Sequence, residues 1–216
     1  MVDDALLAVL CSSQVVAWAI CNVVRGAWLM DGGAAATPYA AYVANRTDAP
    51  AYWQVGILWV MLATGDQTGG NYALMWQLCP KDSGPSPHYH DQDEQFYVLD
   101  GQITYVAGDR TLVATTGAFV LIPRGTVHSF RVDSETATVL NSYTPAGFEQ
   151  AIIALGEPAA ARTLPPAERP MIAHPERAQE VFERVGMHLI DAPDILRGGS
   201  VPDWGGAGEQ GDGESD

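Results

Sequence analysis

From Val55 onward the chain alternates short apolar runs with clusters of Gly, Pro, Asp and Asn. The runs at 55–62 and 72–79 have strand length, and Gly65, Gly69 and Gly70 punctuate the gap between them. A third run, 94–99, ends in Asp100-Gly101, which reads as a hairpin signal, and 102–107 ends in a second turn, Gly108-Asp109. The stretches 111–115, 119–122, 127–132 and 138–143 complete the set. Many short strands joined by tight turns indicate an all-β sandwich or barrel. No internal repeat is visible, so one copy of the barrel is expected.

The flanks read differently. Residues 37–54 form an aromatic-rich lead-in, and 37–155 is taken as the barrel with this N-terminal segment. After Tyr143 the pattern changes: 148–155 suits a short helix, 158–175 is a Pro- and Ala-rich strap, and 176–185 places Ala178, Val181, Phe182 and Val185 on one helical face. Strap and C-terminal helix together occupy 156–197. Residues 198–216 are acidic and Gly-rich with no core-forming pattern, and disorder is expected there. Residues 1–36 are an apolar leader with competing readings. Asp3 and Asp4 are the wrong charge for the start of a secretory signal, although Ala34-Ala35-Ala36 resembles a cleavage site that would permit export. Gln14, Asn22 and Arg25 interrupt a membrane span. An appended helix or a start codon assigned too far upstream is favoured.

Charge narrows the function classes. The formal net charge is −15, and of the eleven basic residues only Lys81 is a lysine. With no basic stripe, nucleic acid and anionic membrane surfaces are poor partners. The three cysteines, Cys11, Cys21 and Cys79, are odd in number and widely spaced, which is no disulfide framework. Cys79 reads as a core residue, and a cytoplasmic location is expected.

Three of the five histidines fall in one central stretch. His88 and His90 are two residues apart, so on an extended segment both side chains project from one face. Glu94 opens an apolar strand, where a carboxylate is costly unless paired or coordinated. His128 lies inside another apolar strand. Two histidines in register, a nearby carboxylate and a third strand histidine suit one divalent metal. His174 and His188 read as surface or strap residues; Arg124 and Arg131 suit substrate contact and paired surface charges equally well.

Gly84-Pro-Ser-Pro-His88-Tyr-His90-Asp-Gln-Asp-Glu94, with Gly101 beyond it, resembles the first motif of the cupin family. Gly117, Pro123-Arg-Gly125 and His128 resemble its second. Two positions depart from the pattern: Asp82 stands where a leading glycine is usual, and Val132 where the second motif often ends in Asn. A wider likeness over roughly residues 37–192 is to single-domain cupins of the quercetin 2,3-dioxygenase-like kind.

The resemblance implies a double-stranded β-helix (jelly-roll) barrel in which His88, His90, Glu94 and His128 hold one ion of Fe, Mn, Ni, Co, Cu or Zn. It implies a metal-dependent dioxygenase that inserts O2 into an enol- or flavonol-type small molecule, with Glu94 as the catalytic base. Strand parity with Glu94 and His128 nominates Phe96, Val98 and Phe130 for the substrate pocket, with Trp76, Tyr105 and Tyr143 behind them. Two alternatives stay open: a non-oxygenase cupin (isomerase, decarboxylase or lyase), and a metal-anchored small-molecule binding protein. A homodimer is expected.

Overall fold

The computed structural model describes residues 40–190. The readings made on 1–36 and 198–216, with Cys11 and Cys21, lie outside the described residues.

Among the described residues, twelve strands form two antiparallel sheets. In chain order they are β1 (Ala51–Gln54), β2 (Ile57–Ala63), β3 (Ala73–Pro80), β4 (His88–His90), β5 (Asp93–Asp100), β6 (Gln102–Ala107), β7 (Arg110–Thr115), β8 (Phe119–Ile122), β9 (His128–Val132), β10 (Thr136–Thr144), β11 (Glu157–Pro158) and β12 (Met187–Leu189). One sheet runs β11-β1-β2-β3-β10-β5-β8 and the other β12-β4-β9-β6-β7. Three short α-helices, α1 (Gly65–Thr68), α2 (Glu149–Leu155) and α3 (Ala178–Val185), and a 3-10 turn (Pro175–Arg177) accompany them. This is a jelly-roll.

Alternation decides which side chains face the core. Along β10, Ala137, Val139, Asn141 and Tyr143 are buried and the residues between them are not. Ala73, Met75, Gln77 and Cys79 do the same on β3, and Glu94, Phe96 and Val98 on β5. β2 is buried on both faces because Leu58 and Val60 pack outward against Ala49, Ala51 and Trp53. The lead-in thus covers the back of the sheet. The amphipathic α2 and α3 close the core with Ile152, Leu155, Val181 and Val185.

Two sequence expectations change. The strand expected at 55–62 begins two residues later, at Ile57, because Val55 (φ 48°) and Gly56 (φ 74°) are both left-handed and reverse the chain between β1 and β2. Asp100-Gly101 makes no hairpin: β5 pairs with β8 and β10, and β6 with β7 and β9, so the chain crosses here from one sheet to the other. Gly101 serves close approach, since a Cβ there would lie 2.6 Å from the Thr136 carbonyl oxygen. Gly108-Asp109 does join a hairpin, with Ala107 opposite Arg110.

Candidate metal centre

His88 and His90 are buried on β4 with Tyr89 turned away between them. β4 lies against β9, where His88 pairs directly with His128. Glu94 enters from the facing sheet on β5 and is 4% exposed. Local strand period and pairing across the barrel therefore bring all four side chains to one point.

The three histidines are placed to bind a metal ion: one ring nitrogen from each lies within 4.8 Å of the others. Their orientation is fixed from behind. Nδ1 of His88 is 2.8 Å from the Ser86 carbonyl, Nδ1 of His90 is 2.9 Å from that of Gln92, and Nδ1 of His128 is 2.8 Å from that of Thr126. A carbonyl oxygen only accepts, so each Nδ1 carries a proton and each Nε2 is left to face the centre.

Glu94 Oε2 lies 2.9 Å from His128 Nε2 and 3.4 Å from His90 Nε2. With Nδ1 already donating, the shorter contact needs a proton shared between His128 Nε2 and Glu94 Oε2, and on the ring that proton makes His128 a cation. Burial opposes that charge, but the hydrogen bond and charge of Glu94 outweigh it, and the His128 pKa is raised. Burial likewise opposes ionisation of Glu94, yet hydrogen bonds from His128 and His90 hold its pKa down. Burial, reinforced by the His128 charge, pushes His88 down to about 3. A divalent cation fits this donor set and would take the place of the shared proton.

A buried relay lies behind Glu94. Asn141 Nδ2 donates to Glu94 Oε1 at 2.9 Å, and Gln77 Nε2 donates to Asn141 Oδ1 at 2.8 Å. Gln77 and Asn141 are fully buried. Sequence reading missed both, although a Gln and an Asn at inward positions of apolar strands were a visible signal. Tyr143 completes the surroundings. Burial first, then the charge of Glu94, raises its hydroxyl well above the usual phenol range.

His88, Glu94 and His128 line a cavity of about 80 Å³ together with Phe130 and Tyr143. Its far wall comes from Met171, Ile172 and Phe182, in the strap and α3. Phe96 and Val98 do not line it. They share the inward face, but Phe96 packs edge-on against Phe130 and beside Tyr105 in the core. Parity sets a face and leaves depth undetermined. Trp76 packs on the outer cluster under Arg46, and Tyr105 sits in the core outside the cavity wall. His174 is exposed near Glu176, His188 stacks on Tyr89, and Arg124 and Arg131 pair with Asp93 and Asp133.

A cupin domain model matches residues 74–143, the stretch from β3 to β10 that holds all four side chains. The chain carries a cupin domain. Over 108 residues, 45% of the chain, it is 32% identical to quercetin 2,3-dioxygenase of Bacillus subtilis. That stretch covers 32% of the enzyme, so the chain spans about a third of the length of this curated relative. Among solved structures, the polyketide cyclase RemF from Streptomyces resistomycificus is 20% identical, with a TM-score of 0.44 over 67% of this chain and 99% of that one. An RmlC-like cupin from Shewanella frigidimarina is 14% identical, with a TM-score of 0.45 over 51% of this chain and 96% of that one. No helix among the described residues is long and apolar enough to cross a membrane.

The two departures from the cupin motifs have local explanations. Asp82 takes φ 61°, the left-handed region a glycine enters freely and aspartate tolerates. Val132 is fully buried on β9 opposite Ile103, packing in the core.

Proposed function

We propose that this cupin is a metal-dependent dioxygenase, quercetinase-like, that inserts O2 into an enol-type small molecule. The observation carrying this reading is that Glu94 faces the same apolar cavity as His88 and His128. A base and two candidate metal ligands thus meet a substrate at one wall. His88, His90, His128 and Glu94 would hold the metal, which when bound supplies a Lewis acid to an enolate and a place for O2 to react.

The chain's own residues supply the rest. Glu94 accepts the substrate's hydroxyl proton, and Asn141, bound to Oε1, keeps the carboxylate oriented while it does so. The apolar lining from Phe130, Ile152 and Phe182 keeps bulk water from the enolate. The cavity's 80 Å³ holds on the order of six waters. Drug-sized sites occupy ~300–1,000 Å³. A cavity of this size therefore favours a compact enol over a three-ring flavonol, unless the strap yields.

The test is O2 uptake by protein loaded separately with Fe(II), Mn(II), Ni(II), Co(II), Cu(II) and Zn(II), with quercetin and with a one-ring hydroxypyranone. His128→Ala is the control. Metal-dependent uptake that the variant loses is the expected result. No uptake by protein shown to hold metal overturns the dioxygenase reading in favour of O2-independent chemistry or ligand binding.

A further inference from the structure

The cavity wall is apolar except for the histidine–glutamate cluster, Tyr143, and two side chains that the chemistry above does not use, Gln54 and Ser86. Gln54 is the last residue of β1 and is 5% exposed, while Ser86 lies in the loop before β4 and is 3% exposed. Neither Gln54 Oε1 nor Ser86 Oγ has a hydrogen-bond partner among the described residues. An unsatisfied buried polar atom costs ~1–3 kcal/mol. Two of them on the wall of one small cavity, from segments distant in sequence, mark a place where the partner arrives with the ligand.

Both residues are held by their backbones, which leaves the side chains free for this. The Gln54 carbonyl accepts the Trp59 indole N–H at 3.0 Å. The next residue, Val55, donates its N–H to the Met171 carbonyl at 2.6 Å, tying the β1–β2 turn to the strap. The Ser86 carbonyl receives Nδ1–H of His88. Ser86 therefore orients a candidate metal ligand with its backbone, while its hydroxyl, on a residue of the cavity wall, is left unpartnered.

We propose that Gln54 and Ser86 form a polar subsite selecting compact ring enols that carry a second hydroxyl group away from the enol. A hydroxyl both donates and accepts, so it can serve an amide oxygen as well as a serine hydroxyl. A methyl in its place leaves both buried atoms unpaired, the kind of site that discriminates strongly. This inference rests on the cavity being the substrate site of the proposed dioxygenase.

Kojic acid and allomaltol share one hydroxypyranone chelate and differ only in a hydroxymethyl against a methyl group. Calorimetric titration of both, without O2, into the Zn(II)-loaded protein, Gln54→Leu and Ser86→Ala isolates the subsite from the metal and from turnover. Wild-type protein is expected to prefer kojic acid by about tenfold. Each variant should bring that ratio to within about twofold, with allomaltol bound no more weakly than before. A ratio unchanged in both variants, no preference in the wild type, or binding of neither compound overturns the subsite. Failure of O2 uptake with the ratio intact overturns only the dioxygenase.

Discussion

Asn141 holds Glu94 by one oxygen: its Nδ2 donates to Oε1 at 2.9 Å, leaving Oε2 turned toward His128 and His90. Gln77 fixes the Asn141 amide in turn. Outer hydrogen bonds of this kind typically contribute 10–100-fold to metal affinity. Asn141→Leu keeps the volume and removes the donor. Zn(II) affinity should fall by about tenfold or more, and the metal-free protein should lose ~1–3 kcal/mol from the stranded carboxylate oxygen. Calorimetry and urea unfolding read the two effects, and an unchanged affinity would show that Glu94 is oriented by other groups.

The metal-free protein should weaken as pH falls below the ordinary histidine range. An unfolded histidine takes its proton near pH ~6.5. His88 in the fold stays neutral down to about 3. The unfolded chain therefore binds one more proton in that window, and stability drops as pH falls, by up to ~1.4 kcal/mol per pH unit. Glu94 acts in the same direction lower down: its depressed pKa contributes stability above the unfolded carboxylate value, lost as pH falls. His128, with a raised pKa, contributes fully below pH ~6.5 and loses its contribution as pH rises through the folded value. Urea unfolding in chelator at pH 6.5, 5.5 and 5, compared between wild type and His88→Gln, reads the His88 part of this slope. His88→Gln should flatten the slope, and an equal slope in both proteins would rule out His88 as its source.

Gly84 is required by contact. A Cβ there would lie 1.7 Å from the Phe130 carbonyl oxygen and 2.7 Å from its carbon, backbone atoms of β9 that cannot step aside without moving His128's strand. Gly84→Ala should cost on the order of 3 kcal/mol. Asp82→Gly, at a left-handed position with no such crowding to create, should stay within ~1 kcal/mol of the wild type. Urea midpoints for the pair check this. A stable Gly84→Ala protein would mean that the Ser83–Pro87 loop can lift off β9.

Much of the centre was legible because it is local. The period of two puts His88 and His90 on one face, and a carboxylate or histidine inside an apolar strand asks for a partner. The strands were legible for the same reason, and the region of β8 is the same in sequence and structure. What was not legible depends on contacts far along the chain. Asp100-Gly101 has hairpin chemistry, but the partners of β5 are β8 and β10, so pairing overrides the local signal. Phe96 and Phe130 have equal claims by parity, yet only Phe130 reaches the cavity. Asn141 and Gln77 acquire meaning only once β3, β10 and β5 lie side by side.

The outer face of β5 and β8 is where we expect a second copy of the chain to bind. Among the described residues β8 ends its sheet, with no strand beside its outer backbone edge. Tyr97 stands opposite Phe119 there and Gln95 opposite Leu121. Tyr97, Leu99, Phe119 and Leu121 are all exposed, Phe119 at 63%. A contiguous apolar patch on a sheet edge is a common dimer surface. Light scattering should give twice the chain mass for the wild type. The double variant Phe119→Glu with Leu121→Glu should give the single mass with an unchanged circular dichroism spectrum, because neither side chain enters the core. A wild-type chain that stays monomeric across a wide concentration range would remove the dimer, and a dimeric double variant would move the interface elsewhere.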